Sequence, residues 1–179
     1  MREHDQTTPT AQSPLLFTPF TVRGVTARNR IVVSPMSQYL AVDGEPGDWH
    51  LVHLGKFAMG GAGIVFVEET SVEASARKTY CCPGIYTDGQ ARAWRRITDF
   101  LRGQGALSAI QLGHAGRKVA TKAPWEGFEP LTEDDAKSGR PPWRGYAPSP
   151  IPLTRLEVPR SIVAVDDGSS LKSPTGALV

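Results

Sequence analysis

From residue 30 to residue 112, short apolar runs alternate with amphipathic stretches. Arg30-Ile31-Val32-Val33-Ser34 is a β-branched run stopped by Pro35. A proline lacks the N–H that a ladder needs, so it suits the end of a strand. Upstream, Leu15 to Arg28 surrounds Pro19 and Gly24 and predicts a short irregular or hairpin segment. Downstream, Asp43-Gly44 and Pro46-Gly47 supply turn chemistry. Asp48 is placed to cap a helix whose Leu51, Leu54 and Ala58 follow an i, i+3, i+7 stripe, ended by Gly60-Gly61. Ile64-Val65-Phe66-Val67 is continuously apolar, as in a parallel strand covered by helices, and the acidic pair Glu68-Glu69 ends it.

Residues 70–87 predict a polar loop. Thr87 or Asp88 then caps a second helix with Trp94, Ile97 and Leu101 on one face, closed by Gly103 and Gly105. Arg92, Arg95, Arg96 and Asp99 fall mostly elsewhere and describe a solvated face. Ala106 to Leu112 is a third strand. Strand starts at Ile31, Ile64 and Leu107 are 33 and 43 residues apart, spacing that suits right-handed crossovers in a parallel α/β sheet. After His114 the pattern fails: eight of the fifteen prolines fall between residues 115 and 160, which predicts a long loop or lid. Residues 1–14 predict a flexible lead-in, and Ser161 to Val179 an atypical tail or linker.

Composition narrows the partners. A net charge of +2 offers no basic field for nucleic acid, and the apolar uncharged stretch from Phe57 to Val67 is far short of the ~20 apolar residues of a membrane span. The polar N-terminus lacks the apolar core of a secretory signal, and a cytoplasmic location is expected. Cys81 and Cys82 are adjacent, a poor geometry for a relaxed disulfide, and read as loop residues rather than a redox pair. His50 and His53 lack a third ligand at metal-binding spacing, so no metal is expected. Gly60-Gly61-Ala62-Gly63 precedes a strand instead of opening a helix, so it reads as a helix-to-strand turn and not a dinucleotide loop.

In parallel α/β folds the chemistry sits at the C-terminal ends of strands. That rule selects Ser34, Pro35, Met36, Ser37, Gln38 and Tyr39, then Glu68, Glu69 and Thr70, then Gln111 and Gly113 to Lys118. Met36 has the soft surface to press on a flat ring and Tyr39 a phenol to donate, or they are a core methionine and a surface tyrosine. Gln111, in an apolar strand, suits the amide edge of a heterocycle, or it bonds a neighbouring loop. His114, Arg117 and Lys118 are suited to an anionic ring edge or phosphate.

Several of these segments, taken in order, resemble a known family. Leu16-Phe17-Thr18-Pro19-Phe20, Arg28-Asn29-Arg30-Ile31 and Ser34-Pro35-Met36-Ser37-Gln38-Tyr39 resemble the opening of the Old Yellow Enzyme family, in its thermophilic-like, xenobiotic reductase-like branch. Asp48-Trp49-His50, His53-Leu54, Gly61-Ala62-Gly63, Val67-Glu68, Gly84-Ile85-Tyr86, Ile110-Gln111-Leu112 and His114-Ala115-Gly116-Arg117-Lys118 continue the match, and Pro124-Trp125-Glu126-Gly127 and Ala147-Pro148-Ser149 extend it. The resemblance covers residues 15–160.

The resemblance implies a (β/α)8 TIM barrel, represented here by its first three or so βα units and a long capping loop, with FMN at the C-terminal end of the strands. It implies NADPH or NADH as hydride donor and an activated alkene, an α,β-unsaturated carbonyl or nitro compound, as acceptor. It also leaves room for the homo-oligomers of the full-length family. By motif, Ser34, Pro35, Met36, Ser37, Glu69 and Gln111 would contact the flavin, Gln111 at its pyrimidine edge, and Tyr39 would face the substrate pocket. Ser37 stands where this branch often has a potential-tuning cysteine, so redox poise and substrate affinity are expected to differ. Glu69 stands where the family has a small residue, and its carboxylate is expected to point aside.

The family's carbonyl-binding histidines, later arginines and proton-donating tyrosine have no counterpart after Arg117. A barrel needs ~250 residues, and the expectation is a truncated ene-reductase chain whose own activity is impaired. Two other readings stand beside it. One is a non-catalytic half-barrel that acts only with a complementary chain; the other is a different flavin or phosphate-binding barrel of the dihydroorotate dehydrogenase type.

Overall fold

The computed structural model of the chain describes residues 13–147. The expected tail at 161–179 lies outside the described residues, as does nearly all of the expected lead-in at 1–14. The described residues begin with a short 3-10 turn, Leu15–Phe17, followed by the antiparallel hairpin β1 (Phe20–Val22) and β2 (Val25–Ala27). Arg23 and Gly24 turn it with φ of 47° and 83°, the two left-handed residues that a tight hairpin turn requires.

Three parallel strands follow in the spatial order β3-β4-β5: β3 (Val32–Val33), β4 (Ile64–Ser71) and β5 (Leu107–Gly113). They are linked through α1 (Asp48–Met59) and α2 (Asp88–Gly103), so the β-α-β-α-β order read from the sequence holds. Three boundaries differ from expectation. β3 is two residues long because the backbone before it is held otherwise: Asn29 Oδ1 accepts from the Ile31 N–H, and Ile31 O accepts from Gly63 and Ile64. The cap of α1 is Gly47, and His50 in the first turn accepts the Gly47 N–H at its Nδ1, 3.1 Å away. β4 does not end at the glutamates, since Thr70 and Ser71 still pair with Leu112 and Gly113 of β5.

Both helices pack on one face of the sheet. Leu54, Ala58, Ala62, Val65, Val67, Trp94, Ile97, Leu101 and Ala106 form the core, with Ile31, Val33 and Ile110 against it. The stripe Trp94-Ile97-Leu101 is the buried face of α2, and its capping box is Thr87 with Gln90. α1 and α2 approach closely at Gly55, where a Cβ would stand 2.9 Å from the Phe100 ring. Arg28 closes the opposite end. Its guanidinium donates to Ala58 O at 2.7 Å, to Ala62 O and to Gln104 O at 2.8 Å. These carbonyls lie at the C-terminal ends of α1 and α2, where a cation is favoured. Gly61, with φ of 97°, makes the turn from α1 toward β4 that the glycine cluster predicted.

The stretch after β5 is more ordered than its prolines suggest. It contains α3 (Glu133–Lys137), capped by Thr132 and Asp135, and a small core of Val119, Ala120 and Leu131 packed with Tyr80 and Trp143. A five-residue helix is too short to show an apolar stripe, but Thr132-Glu133-Asp134-Asp135 carries the capping signal. Arg92, Arg95 and Arg96 are exposed or nearly so, as expected for a solvated face, and Arg96 reaches Asp48 at 2.7 Å. No helix among the described residues is long and apolar enough to cross a membrane.

Leu101 is fully buried at the centre of the core. Replacing it with alanine is expected to lower stability by about 2–5 kcal/mol, the range for deleting a buried leucine side chain, measured as a shift in urea midpoint at unchanged slope.

Candidate functional site

A bulge in β4 sets the site. Pairing with β5 runs in step from Ile64 to Val67, slips, and resumes at Glu69 opposite Gln111, leaving Glu68 as the extra residue. Side chains alternate along a strand, so one added residue reverses which positions face which side. Val65 and Val67 face the helices, and after the bulge Glu68 and Thr70 do so, all four being buried. Glu69 and Gln111 are thereby left on the other, open face of the sheet.

Glu68 is buried with its side chain 4% exposed. One carboxylate oxygen accepts the Gln38 N–H at 3.0 Å. The other stands 3.2 Å from His50 Nε2, close enough for electrostatic attraction but off the hydrogen-bond line. Because His50 Nδ1 accepts from Gly47, the ring proton sits on Nε2 and points its positive end to the carboxylate side. Gln38 continues the network: its Nε2 donates to Met36 O at 2.8 Å, and its Oε1 accepts from Trp49 Nε1 at 3.2 Å. The loop after β3, carrying Ser34, Pro35, Met36, Ser37 and Tyr39, is thus fastened to β4 and α1.

Parallel strands present their C-terminal ends at one edge. Val33 pairs with Val65, and Val65 with Ser108, so these three residues lie on one rung. Met36 follows Val33 by three residues and Gln111 follows Ser108 by three, so both lie past that rung toward the same edge. Met36 is 40% exposed and Gln111 is exposed, with no hydrogen bond from its amide to another described residue. Ser34 is exposed, and Pro35 and Ser37 are half-buried.

Glu69 is turned onto Gly113, where an added Cβ would come within 2.3 Å of its carboxylate, and it pairs with Lys78 at 3.1 Å. Burial disfavours the charge on Lys78, but the Glu69 carboxylate and its hydrogen bond outweigh this and leave the ammonium pKa raised. Lys78 also stands 5.6 Å above the Tyr39 ring. Tyr39 has a left-handed backbone, φ 56°, and meets Phe128 and Trp125 edge-on with ring centroids 5.6 and 6.5 Å apart. Tyr39, Lys78, Lys118, Thr121 and Phe128 line a cavity of about 350 Å³. Just past the end of β5, His114 Nε2 lies 3.2 Å from Glu73.

The strand-end rule reached Met36, Tyr39 and Gln111 but missed His50, Lys78, Thr121 and Phe128. In the sequence His50 stands out only beside His53 and within the Asp48-Trp49-His50 segment, neither of which points to Glu68. Lys78 and Phe128 sit in irregular segments, and their one local signal is glycine or a short polar loop nearby. His53, the other histidine of that pair, lies between Trp49 and Phe57 on α1, with ring centroids 6.5 and 5.4 Å away. The two cysteines are free thiols; burial pushes both pKa values up, against the lowering effect of Thr79 on Cys82.

Three neighbouring parallel strands with crossover helices on one face, and polar side chains gathered at their C-terminal edge, define part of an α/β barrel wall. A family model described as the NADH:flavin oxidoreductase / NADH oxidase family matches residues 15–134, and the chain belongs to that family. Among curated relatives, it is 45% identical over 118 residues to an NADH:flavin oxidoreductase of Gibberella zeae, covering 66% of this chain and 29% of that protein. It is 32% identical over 164 residues to the NADPH dehydrogenase of Geobacillus thermodenitrificans, covering 90% of this chain and 45% of that one. The chain therefore spans less than half the length of these relatives. Among solved structures, morphinone reductase superposes with a TM-score of 0.64 at 26% identity, covering 80% of this chain and 34% of that one. The old yellow enzyme from Trypanosoma cruzi gives 0.62 at 28%, covering 84% and 39%. The resemblance to an N-terminal portion of an Old Yellow Enzyme is thus established, and the described residues form a partial sheet, not a closed barrel.

Burial and the neighbouring Lys56 lower the pKa of His53 from 6.5. Below that value the unfolded chain takes up a proton that the folded chain resists, so stability is fully present above it and falls as the pH drops toward the folded value. Thermal melts between about pH 5 and pH 7 are expected to show this loss, and His53→Gln to flatten that part of the profile; an unchanged slope in the variant would remove His53 as its source.

Proposed function

We propose that this chain is the N-terminal part of an FMN-dependent NAD(P)H oxidoreductase that reduces activated C=C bonds of α,β-unsaturated carbonyl or nitro compounds. The observation that carries this reading is the gathering of the Met36 loop, Glu69 and Gln111 past one rung of a parallel sheet in a chain of the flavin oxidoreductase family. The groups present suit a flavin. Gln111 offers a donor and an acceptor without a partner among the described residues, Met36 offers an exposed polarizable thioether, and the Glu69 charge is neutralised by Lys78. When bound, FMN supplies transfer of hydride from NADPH or NADH to the β-carbon of the alkene.

The chain's own residues would bind and orient. Gln111 would hydrogen-bond the pyrimidine edge, and Pro35 and Met36 would pack on the ring. Ser34, Ser37 and the backbone at Glu69 would contact it at its border, and Tyr39 would face the acceptor. A hydroxyl at Ser37 polarises its surroundings less than sulfur, so it would leave the redox poise unlike that of relatives with cysteine. Glu68 and His50 would act indirectly, by holding the loop that carries Met36.

A second reading is supported by a specific feature. Among the described residues β3 and β5 are the edge strands of the sheet, and a groove of about 470 Å³ runs between α2 and β5, lined by Val67, Trp94, Arg95, Arg102 and Ile110. In this reading the chain is a half-barrel that works only when a complementary chain supplies the neighbouring strands.

Both readings meet in one experiment. The full chain, alone and mixed with the part of the Geobacillus thermodenitrificans NADPH dehydrogenase that it does not match, is titrated with FMN and assayed for NADPH oxidation by 2-cyclohexenone. Flavin uptake is expected, and Gln111→Leu is expected to weaken it about tenfold, the worth of one good polar contact. Activity in the mixture alone selects the half-barrel reading. A mixture that binds FMN yet reduces no activated alkene would falsify the proposed activity.

A further inference from the structure

The cavity beside Tyr39 is built unlike a simple greasy slot. Two aromatic residues, Tyr39 and Phe128, and two ammonium-bearing residues, Lys78 and Lys118, line the same space. The charges are not equivalent. Lys78 is bonded to Glu69, whereas among the described residues Lys118 has no carboxylate within ion-pair distance. The Glu69 carboxylate is thus matched by one lining lysine, and among the described residues the other has no such partner. Glu73, five residues before Lys78, is taken up by His114 and by Ser75, whose hydroxyl donates to it.

The backbone adds an independent observation. Tyr39 and Phe128, both lining residues, and Ala120, next to the lining Thr121, have φ of 56°, 60° and 55°. Three of the five non-glycine residues with positive φ among the described residues therefore lie at or beside this one cavity. Such conformations are costly for residues with a side chain and persist where surrounding structure enforces them. Here the enforcement is visible. Leu131 N donates to Ala120 O at 2.8 Å, Thr121 N donates to Lys78 O at 2.9 Å, and Phe128 N donates to Ala123 O at 3.3 Å. The segment after β5 is thereby folded back over Tyr39, with the Thr121 hydroxyl also donating to Lys78 O.

We infer that this cavity is a binding site for a planar, conjugated carboxylate, whose flat body packs against the aromatic wall that Tyr39 and Phe128 form together and whose anionic end meets the Lys118 ammonium beside Lys78. An aromatic-walled slot favours a flat π-system by edge and face contacts. A carboxylate recovers in its charge-assisted bond part of what it loses on leaving water, and only a charged acceptor makes use of the unmatched cation. The assignment rests on the proposed function for its catalytic sense, since it names the acceptor as an α,β-unsaturated acid or its aryl analogue. Binding itself does not depend on flavin.

The test uses the full chain, titrated calorimetrically with trans-cinnamate and with its neutral isostere trans-cinnamamide. Cinnamate is expected to bind about tenfold tighter than the amide, a contrast lost in Lys118→Gln and kept in Lys118→Arg. Lys118 is exposed, so neither substitution threatens the fold, which circular dichroism confirms in each variant. Absence of binding, equal affinity for the two probes, or a contrast that survives Lys118→Gln overturns the inference. FMN is titrated in parallel. Discrimination without flavin uptake sinks the flavin reading alone, and flavin uptake without discrimination sinks this assignment alone.

Discussion

One extra residue in β4 governs the arrangement of everything at the C-terminal edge. Without the bulge, the alternation that buries Val65 and Val67 would turn Glu69 into the helical layer and leave Glu68 on the open face. With it, Glu68 enters the helix side, where a bare carboxylate would be costly. It is tolerated because the Gln38 N–H reaches it at 3.0 Å and the protonated edge of His50 faces it at 3.2 Å. The need of a buried charge for partners thus becomes the fastening of a loop. Gln38 cannot leave without stranding Glu68, and Met36 O is bonded to the Gln38 side chain.

The opposite end of the layer depends on a complementary device. Helix C-termini leave carbonyls without intrahelical partners. One guanidinium, that of Arg28, collects carbonyls from the ends of α1 and α2 and ties the N-terminal hairpin to both. Asn29 adds a bond to Gly61 O at 2.7 Å, and its own carbonyl lies so near Gly63 that a Cβ there would come within 2.4 Å. Gly63 is therefore required by close approach, while Gly61 is required by its left-handed turn. The two ends of the sheet have different tasks. Cation-to-carbonyl bonds stabilise the N-terminal edge, and a carboxylate-centred network shapes the C-terminal edge.

What was legible in the sequence follows from what repeats. The stripe of α2 and the apolar centres of β4 and β5 are periodic signals produced by burial on one face, and they placed the core correctly. β3 was overestimated because Ile31 is apolar for packing while its backbone bonds to a turn, a distinction that hydropathy does not carry. The end of β4 was missed because Glu68-Glu69-Thr70-Ser71 is polar, although the ladder continues through it. Strand-end reasoning picks out Met36 and Gln111, and the fold carries both past the same rung of the sheet. It could not find Lys78 or Phe128, 39 and 89 residues from Tyr39, since only the folding of irregular segments brings them together.

The adjacent glutamates show why such a site resists reading from residue type alone. Both are acidic, both follow the same apolar run, and the bulge between Val67 and Glu69 sends them to opposite faces. Glu68 accepts the Gln38 N–H, lies beside His50 and serves the scaffold. Glu69 meets Lys78, and by neutralising it decides how much positive charge the neighbouring cavity retains. Gly113 belongs to the same arrangement, because any side chain there would collide with the Glu69 carboxylate and displace it from Lys78. The charge balance at the mouth of the sheet is therefore set by backbone register first and by side-chain identity second.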